Sequence, residues 1–267
     1  MQKNKEGQFK MKILNREQVN RDCFLLYLEM PNSDWISGLW PGGEMTFHAQ
    51  LDPNDDKISR RSYTAISPCN LKGIVVFLVK VFRVDKNDNG FAFSYFLETK
   101  LNIGESILCS GPSGNLRYSG YGNFVINGQE AKHKERVLFF AGGSGICQIF
   151  SIIQASISSQ DGMEIWLIYS SKSKRDILFE DMFQALQEMS PTFKLYHTLT
   201  QYDPQVDEKW SGYQGRINKH MFKNIKALGV PGPDPDVITV QCGPPGFKES
   251  IQSFLLQEGY KKGVHMF

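Results

Sequence analysis

The spacing of apolar residues changes character near residue 135, and that change divides the chain into two kinds of fold. Before it, apolar and polar residues alternate in short runs. Glu44–Gln50 places Met45, Phe47 and Ala49 on one face and Thr46 and His48 on the other, directly after the turn Pro41-Gly42-Gly43, which is the pattern of a half-buried strand. Cys23–Met30, Ser59–Ile66 and Ile74–Val84 are β-rich in the same way, and Glu105–Ser110 follows a helix expected at about Phe91–Lys100. Many short strands and one helix predict an antiparallel β-barrel.

After residue 135 the strands become continuous apolar runs separated by helical spacing. Arg136–Ala141 is one such run, and Ile146, Ile149, Phe150, Ile153 and Ile157 then recur at helical intervals. Ile165–Tyr169, Phe193–Leu199 and Val237–Gln241 read as further strands. Between and after them come helices with Phe179, Met182, Phe183 and Leu186 on a core face, at Asn218–Leu228, and with Phe247, Ile251, Phe254 and Leu255 inward. Four strand–helix alternations predict a Rossmann-like parallel sheet covered by helices on both faces. The expected division is a barrel over residues 9–130 and an α/β domain over 131–267, with the polar stretch Tyr118–Arg136 as the hinge.

Composition excludes several classes. With 41% hydrophobic and 22% charged residues the chain has the apolar content for a core, and 30 basic against 28 acidic residues make no electrostatic case for nucleic acid. Cys23, Cys69, Cys109, Cys147 and Cys242 contain no Cys-x-x-Cys pair, and the five histidines show no metal spacing, so neither a disulfide framework nor a metal site is expected. The apolar stretches Ile74–Phe82 and Val137–Ile153 are interrupted well short of a membrane span. Met1–Lys12 carries four lysines without an apolar segment and is expected to be a short disordered leader rather than a secretory signal; since the cysteine usage favours a reducing compartment, an intracellular protein, cytosolic or mitochondrion-associated, is expected.

In an open parallel sheet, ligands gather beyond the carboxyl ends of the strands. Two strand-to-helix loops are unusual there. Gly142-Gly143-Ser144-Gly145 lets backbone approach closely and offers free amides at a helix start, which suits a pyrophosphate or simply a tight turn. Cys242-Gly243-Pro244-Pro245 puts a thiol at a strand tip, and Pro245 fits a first helical turn, where its missing N–H costs nothing. In the barrel half, Arg61-Ser62-Tyr63-Thr64 sets a guanidinium and a phenol on one face of a strand and a hydroxyl on the other.

The ordered set Arg61-x-Tyr63-Thr64-x-x-Ser67, Gly111-Pro112-Ser113-Gly114, Gly142-Gly143-Ser144-Gly145-Ile146, Cys242-Gly243-Pro244-Pro245 and terminal Phe267 resembles the ferredoxin–NADP reductase superfamily, in particular its cytochrome b5 reductase and nitrate reductase flavin-domain branch. The resemblance implies an FAD-binding barrel followed by a nicotinamide-nucleotide domain. It assigns Arg61 and Ser62 to FAD, Arg61 at the pyrophosphate, with Tyr63 against the isoalloxazine and Thr64 near its N5. It also gives FAD contacts to Leu78, Lys80, Ala92, Phe93 and Ser94. Gly142, Gly143, Ser144 and Gly145 with Cys242, Gly243, Pro244 and Pro245 would hold NADH or NADPH, with Ser171 and Thr200 toward its ribose end. Thr64 and Cys242 would flank the hydride path, and Phe267 would lie near the flavin. The implied activity is NAD(P)H oxidation through FAD, with electrons released singly to an acceptor protein such as cytochrome b5, a b-type haem carrier.

Three departures from the family pattern bear on function. Cys147-Gln148 stands in place of Thr-Pro, and Ala92-Phe93 in place of Lys-Met. They raise a second reading, a reductase-fold subunit with reduced or lost turnover that serves as a structural component of a larger complex. Thr200 occupies the position where NADH-specific relatives carry Asp, and the cationic run Ser170-Ser171-Lys172-Ser173-Lys174-Arg175 follows the preceding strand, so NADPH is expected to be accepted.

Overall fold

Phe9, Met11 and Ile13 are buried in the computed structural model while Lys10 and Lys12 face outward, so part of the expected leader is the inner face of a long first strand. The structure describes residues 7–54, 56–82, 93–131, 133–207, 209–261 and 263–266. Two compact units follow one another, Met1–Gly114 and Asn115–Phe267.

The strands of the first unit are β1 (Phe9–Asn20), β2 (Cys23–Glu29), β3 (Glu44–Gln50), β4 (Ile58–Thr64), β5 (Ile74–Lys80) and β6 (Ser106–Ser113), with helix α1 (Phe93–Thr99) between β5 and β6. They form an antiparallel sheet in the order β4-β3-β6-β1-β2-β5. The sheet curls until its two ends meet: Ala65 bridges Phe77, and the Ile66 N–H donates to the Val76 carbonyl at 2.8 Å. This is the expected barrel, closed by one bridge beyond the end of β4. The Phe47, Phe77, Met45, Leu26 and Met11 side chains fill it, with the Phe47 and Phe77 rings edge to face at 5.0 Å. The Arg16 guanidinium plugs one end by donating to the carbonyls of Glu98, at 2.8 Å, and Leu101, which ties α1 and the turn after it to β1.

The second unit begins with a small antiparallel sheet, β7 (Leu116–Gly120), β8 (Asn123–Ile126) and β9 (Gln129–Glu130). The stretch read as a hinge is therefore largely folded. Tyr118 and Phe124 are buried with ring centres 4.9 Å apart, and the Tyr118 hydroxyl donates to Asp161, which also accepts from the Ser156 hydroxyl at 2.7 Å and from the Tyr121 N–H at 3.2 Å.

The rest alternates strand and helix: β10 (Arg136–Gly142), α2 (Ile146–Ser159), β11 (Glu164–Ser171), α3 (Glu180–Met189), β12 (Phe193–Leu199), β13 (Tyr213–Gln214), α4 (Lys219–Lys226), β14 (Val237–Cys242), α5 (Pro245–Gln257) and β15 (Val264–Met266). All pairings in this six-stranded sheet are parallel, in the order β13-β12-β11-β10-β14-β15. Phe140 packs on Phe222 of α4 and Phe254 of α5 at 5.9 and 6.0 Å on one face. Phe150 of α2 and Tyr169 of β11 pack on Phe183 of α3 on the other. Met182, expected in the core face of α3, is 48% exposed. Phe179 takes over that side from just ahead of the helix, stacking on Phe150 at 4.6 Å.

Candidate functional site

Each unit carries its own candidate site. In the first, β4 pairs on one side with β3 alone and leaves its other edge open from Ile58 to Tyr63, an edge with a row of backbone N–H and C=O groups to offer. Along it lies a cleft of about 380 Å³ lined by Lys57, Ser59, Arg60, Arg61, Phe93 and others. Arg61 is exposed, and no carboxylate among the described residues pairs with it or with Arg60. Tyr63 is half-buried, its ring 5.0 Å from Phe47 and 6.4 Å from Phe93, and burial pushes its phenol well above the usual range, so it stays neutral.

The other residues assigned to FAD fall around this edge in different ways. The Ser62 hydroxyl hydrogen-bonds that of Thr46 at 2.9 Å on the opposite face, and Thr64 is buried. The Ser94 hydroxyl is buried and accepts from the Phe82 N–H at 2.9 Å, which fixes the start of α1 to the end of β5. Leu78 is buried and Lys80 half-buried on β5, opposite Leu25 and Cys23. Ala92 lies outside the described residues, as does Phe267. A guanidinium with no carboxylate partner among the described residues, an aromatic wall and an open strand edge together fit a planar ring carrying a diphosphate tail.

In the second unit the two loops singled out from the sequence meet. β10 and β14 are neighbours with Ala141 opposite Cys242, so the loops after them leave the sheet side by side. Chain order reverses here: β11, β12 and β13 lie to one side of β10, and β14 and β15 to the other. That is the topological switch point at which open α/β sheets place their ligands. The approach is close enough to require glycine, since a Cβ on Gly145 would sit 2.4 Å from the Cys242 carbonyl oxygen and one on Gly243 would sit 2.7 Å from the Phe247 ring. Gly143 has φ +53°, in the left-handed region.

Neither α2 nor α5 has a side-chain cap at its start, where Gly145 and Pro244 stand, whereas Asn218 caps α4 by accepting from the Met221 N–H at 3.0 Å. The Ile146 N–H turns back onto the Gly143 carbonyl and the Phe247 N–H onto the Pro244 carbonyl at 3.0 Å, so both loop-to-helix junctions are held by backbone rather than by a side chain. The Cys242 thiol is buried and donates to the side-chain oxygen of Gln148 at 2.8 Å. Ser171 and Thr200 are brought together at the ends of β11 and β12, where the Thr200 N–H donates to the Ser171 carbonyl at 2.9 Å. The Ser171 hydroxyl is buried with no hydrogen-bond partner among the described residues. Such a group costs about 1–3 kcal/mol unless something else satisfies it, and the orphan fits a polar nucleotide ligand over this end of the sheet. Glycine approach, two helix starts without side-chain caps and an orphan hydroxyl together match a dinucleotide.

Sequence reasoning missed four contributors. Phe247, read only as core, lies against Gly142 and Gly243. Gln148, noted only as a departure, is the partner of Cys242. Lys57 and Arg60 line the first unit's cleft, and the doublet Arg60-Arg61 was the signal that could have found the second of them. Among the described residues no cluster of His, Cys, Asp and Glu could hold a metal, and no helix is long and apolar enough to cross a membrane.

Residues 10–118 match the oxidoreductase FAD-binding domain and residues 139–253 the oxidoreductase NAD-binding domain. The chain is 29% identical to the NADPH nitrate reductase of Aspergillus niger over 97% of its own length, and 28% identical to NADH nitrate reductase 1 of Phaseolus vulgaris over 93%. It spans 29% and 28% of those proteins. The fold is shared with the cytochrome b5 reductase domain of Ulva prolifera nitrate reductase (TM-score 0.87, 23% identity, 98% of each chain). It is shared also with a ferredoxin NADP+ reductase from Neisseria gonorrhoeae (TM-score 0.72, 17% identity, 97% of this chain and 98% of that one).

Proposed function

Because the chain joins an oxidoreductase FAD-binding domain to an oxidoreductase NAD-binding domain and belongs to the ferredoxin–NADP reductase superfamily, we propose that it oxidises NAD(P)H and delivers the electrons singly to a haem protein of the cytochrome b5 type. The observation that carries this reading is the meeting of the Gly142–Gly145 and Cys242–Pro245 loops at the sheet's switch point, in a chain whose other unit offers an open, cationic strand edge beside an aromatic wall. FAD, when bound, supplies the conversion between two-electron hydride chemistry and one-electron delivery.

The chain's own residues bind and orient. Arg61 would neutralise phosphate charge, Tyr63 would offer an uncharged ring, and the glycine loops would present backbone N–H groups that need no side-chain rearrangement. Gln148 holds the Cys242 thiol in one direction at the tip of β14. No side chain has to gain or lose a proton for hydride to move between two cofactors, which agrees with a site built from glycine, hydroxyl and aromatic groups.

The same reading extends to coenzyme choice. Thr200 carries no charge that would repel a 2′-phosphate, and Lys172, Lys174 and Arg175 are exposed beyond the end of β11. Ser173 and Asp176 satisfy each other in a capping box, leaving those three cations to face solvent or ligand. Acceptance of NADPH follows.

Acceptor-linked assays of the full chain with cytochrome b5, ferricyanide and a quinone test the proposal. Turnover with cytochrome b5 supports it. Ferricyanide reduction without cytochrome b5 reduction would replace the haem partner, and no turnover with any acceptor would favour the structural reading.

A further inference from the structure

The cleft along β4 carries more positive charge than one phosphate needs. Arg60 and Arg61 are adjacent on the strand, both line the cleft, and Lys57 lines it one residue before the strand begins. Neighbouring side chains of a strand leave opposite faces, yet here both residues border one concavity along the open edge of β4, the sheet's last strand, where the Arg61 guanidinium also donates to the Arg60 carbonyl at 3.2 Å. The turn ahead of β4 also carries acids: Asp52 is engaged locally, its oxygen accepting from the Asn54 N–H at 2.9 Å, and Asp56 is exposed beside Lys57 and, among the described residues, forms no ion pair with Arg60 or Arg61.

The strand also serves as a ruler. Extended chain rises roughly 3.3 Å per residue. Measured from Tyr63, Arg61 therefore stands roughly 7 Å along the edge and Arg60 roughly 10 Å, with Lys57 farther out. A flavin whose ring system lies at Tyr63 and whose first phosphate meets Arg61 would bring a second phosphate level with Arg60 and an adenosine level with Lys57. Riboflavin 5′-phosphate would end at Arg61.

We propose that Arg60, supported by Lys57, binds the adenosine-side phosphate of the flavin dinucleotide and makes this edge select FAD over FMN. The assignment rests on the flavin reading given above and adds to it the residues that choose between the two flavin coenzymes.

Flavin-free full chain is titrated with riboflavin, FMN and FAD, following quenching of flavin fluorescence, for the wild type, Arg60→Gln, the double variant Arg60→Gln/Lys57→Gln, and Arg61→Gln. A charge-assisted contact at a partly exposed site makes a loss of about tenfold reasonable. The double variant is expected to bind FAD about tenfold more weakly with FMN and riboflavin unchanged, whereas Arg61→Gln weakens FMN and FAD together. Both arginines and Lys57 are exposed, so the fold should tolerate these changes. Arg60→Lys, which keeps the charge, should recover most of the FAD affinity. Equal weakening of FMN and FAD in the double variant, or no weakening of FAD, would overturn the assignment while leaving flavin binding intact. A wild type with affinity for none of the three would overturn the flavin reading and this one with it.

Discussion

The thiol of Cys242 donates a 2.8 Å hydrogen bond to the side-chain oxygen of Gln148, joining the last strand-to-helix loop of the parallel sheet to the first turn of α2. Both residues are buried, so the pair is a fixed strut between the two loops that define the nucleotide site. Gln148→Leu leaves the thiol without this acceptor. Gln148→Met does the same with a side chain of similar length and only a weak acceptor. Each variant should lose about 1 kcal/mol of stability in denaturant titrations, and peptide-resolved alkylation should show Cys242 reacting at a changed rate while Cys23 and Cys109 do not. Unchanged stability and unchanged Cys242 labelling would show that the pair holds nothing in place.

The two glycines of this region that look alike in sequence should behave oppositely. Alanine at Gly145 would press its Cβ onto the Cys242 carbonyl, a backbone atom that cannot step aside, so Gly145→Ala should cost about 2–4 kcal/mol and abolish NAD(P)H binding. A Cβ on Gly246 meets nothing within 4 Å, and the residue lies inside α5. Gly246→Ala should therefore be neutral or stabilising by about 0.5–1 kcal/mol. Thermal melts and nucleotide titrations of the pair decide the point, and a tolerated Gly145→Ala would mean that the loops do not meet as described.

Stability should fall on mild acidification because of His197. Its ring packs against Tyr169 at 5.3 Å and Trp210 at 6.1 Å, its Nδ1 is buried with no hydrogen-bond partner among the described residues, and burial lowers its pKa from the ordinary 6.5 to about 4. The unfolded chain therefore takes up the proton first. The favourable contribution of the neutral ring is complete above about pH 6.5, and it declines as pH falls toward about 4, where the loss is on the order of 3 kcal/mol. Denaturant titrations across that range should show the decline in the wild type and a flatter profile in His197→Leu. Parallel profiles for the two proteins would remove His197 as the cause.

Coenzyme choice should follow charge at the end of β11. Steady-state comparison is expected to give the wild type appreciable kcat/KM with NADPH, and Lys174→Glu/Arg175→Glu should lose roughly tenfold with NADPH and little with NADH. A strong NADH preference in the wild type would dismiss the role given to these cations.

How much of this was legible in sequence depended on whether the signal was local. Phe193–Leu199 occurs as a strand with the bounds its apolar run suggests, and the Gly142–Gly145 and Cys242–Pro245 loops fall between strand and helix because glycine and proline punctuate chains locally. β1 was partly hidden by its lysines, although Phe9, Met11 and Ile13 already alternated with Lys10 and Lys12. The fate of Tyr118–Arg136 was not legible. What turns that polar stretch into structure is Asp161, 43 residues past Tyr118, receiving the Tyr118 and Ser156 hydroxyls, and no local pattern announces so distant an acceptor. The strut from Gln148 to Cys242 was hidden likewise, its partners being 94 residues apart and adjacent only because β10 and β14 pair.

Anaerobic titration of the FAD-loaded chain with NADPH and with NADH, watched at the yellow flavin absorbance, tests the central claim most directly. The account predicts bleaching with one equivalent of nucleotide and recovery of the colour when ferricyanide is added. Yellow protein that binds nucleotide yet keeps its absorbance would contradict it.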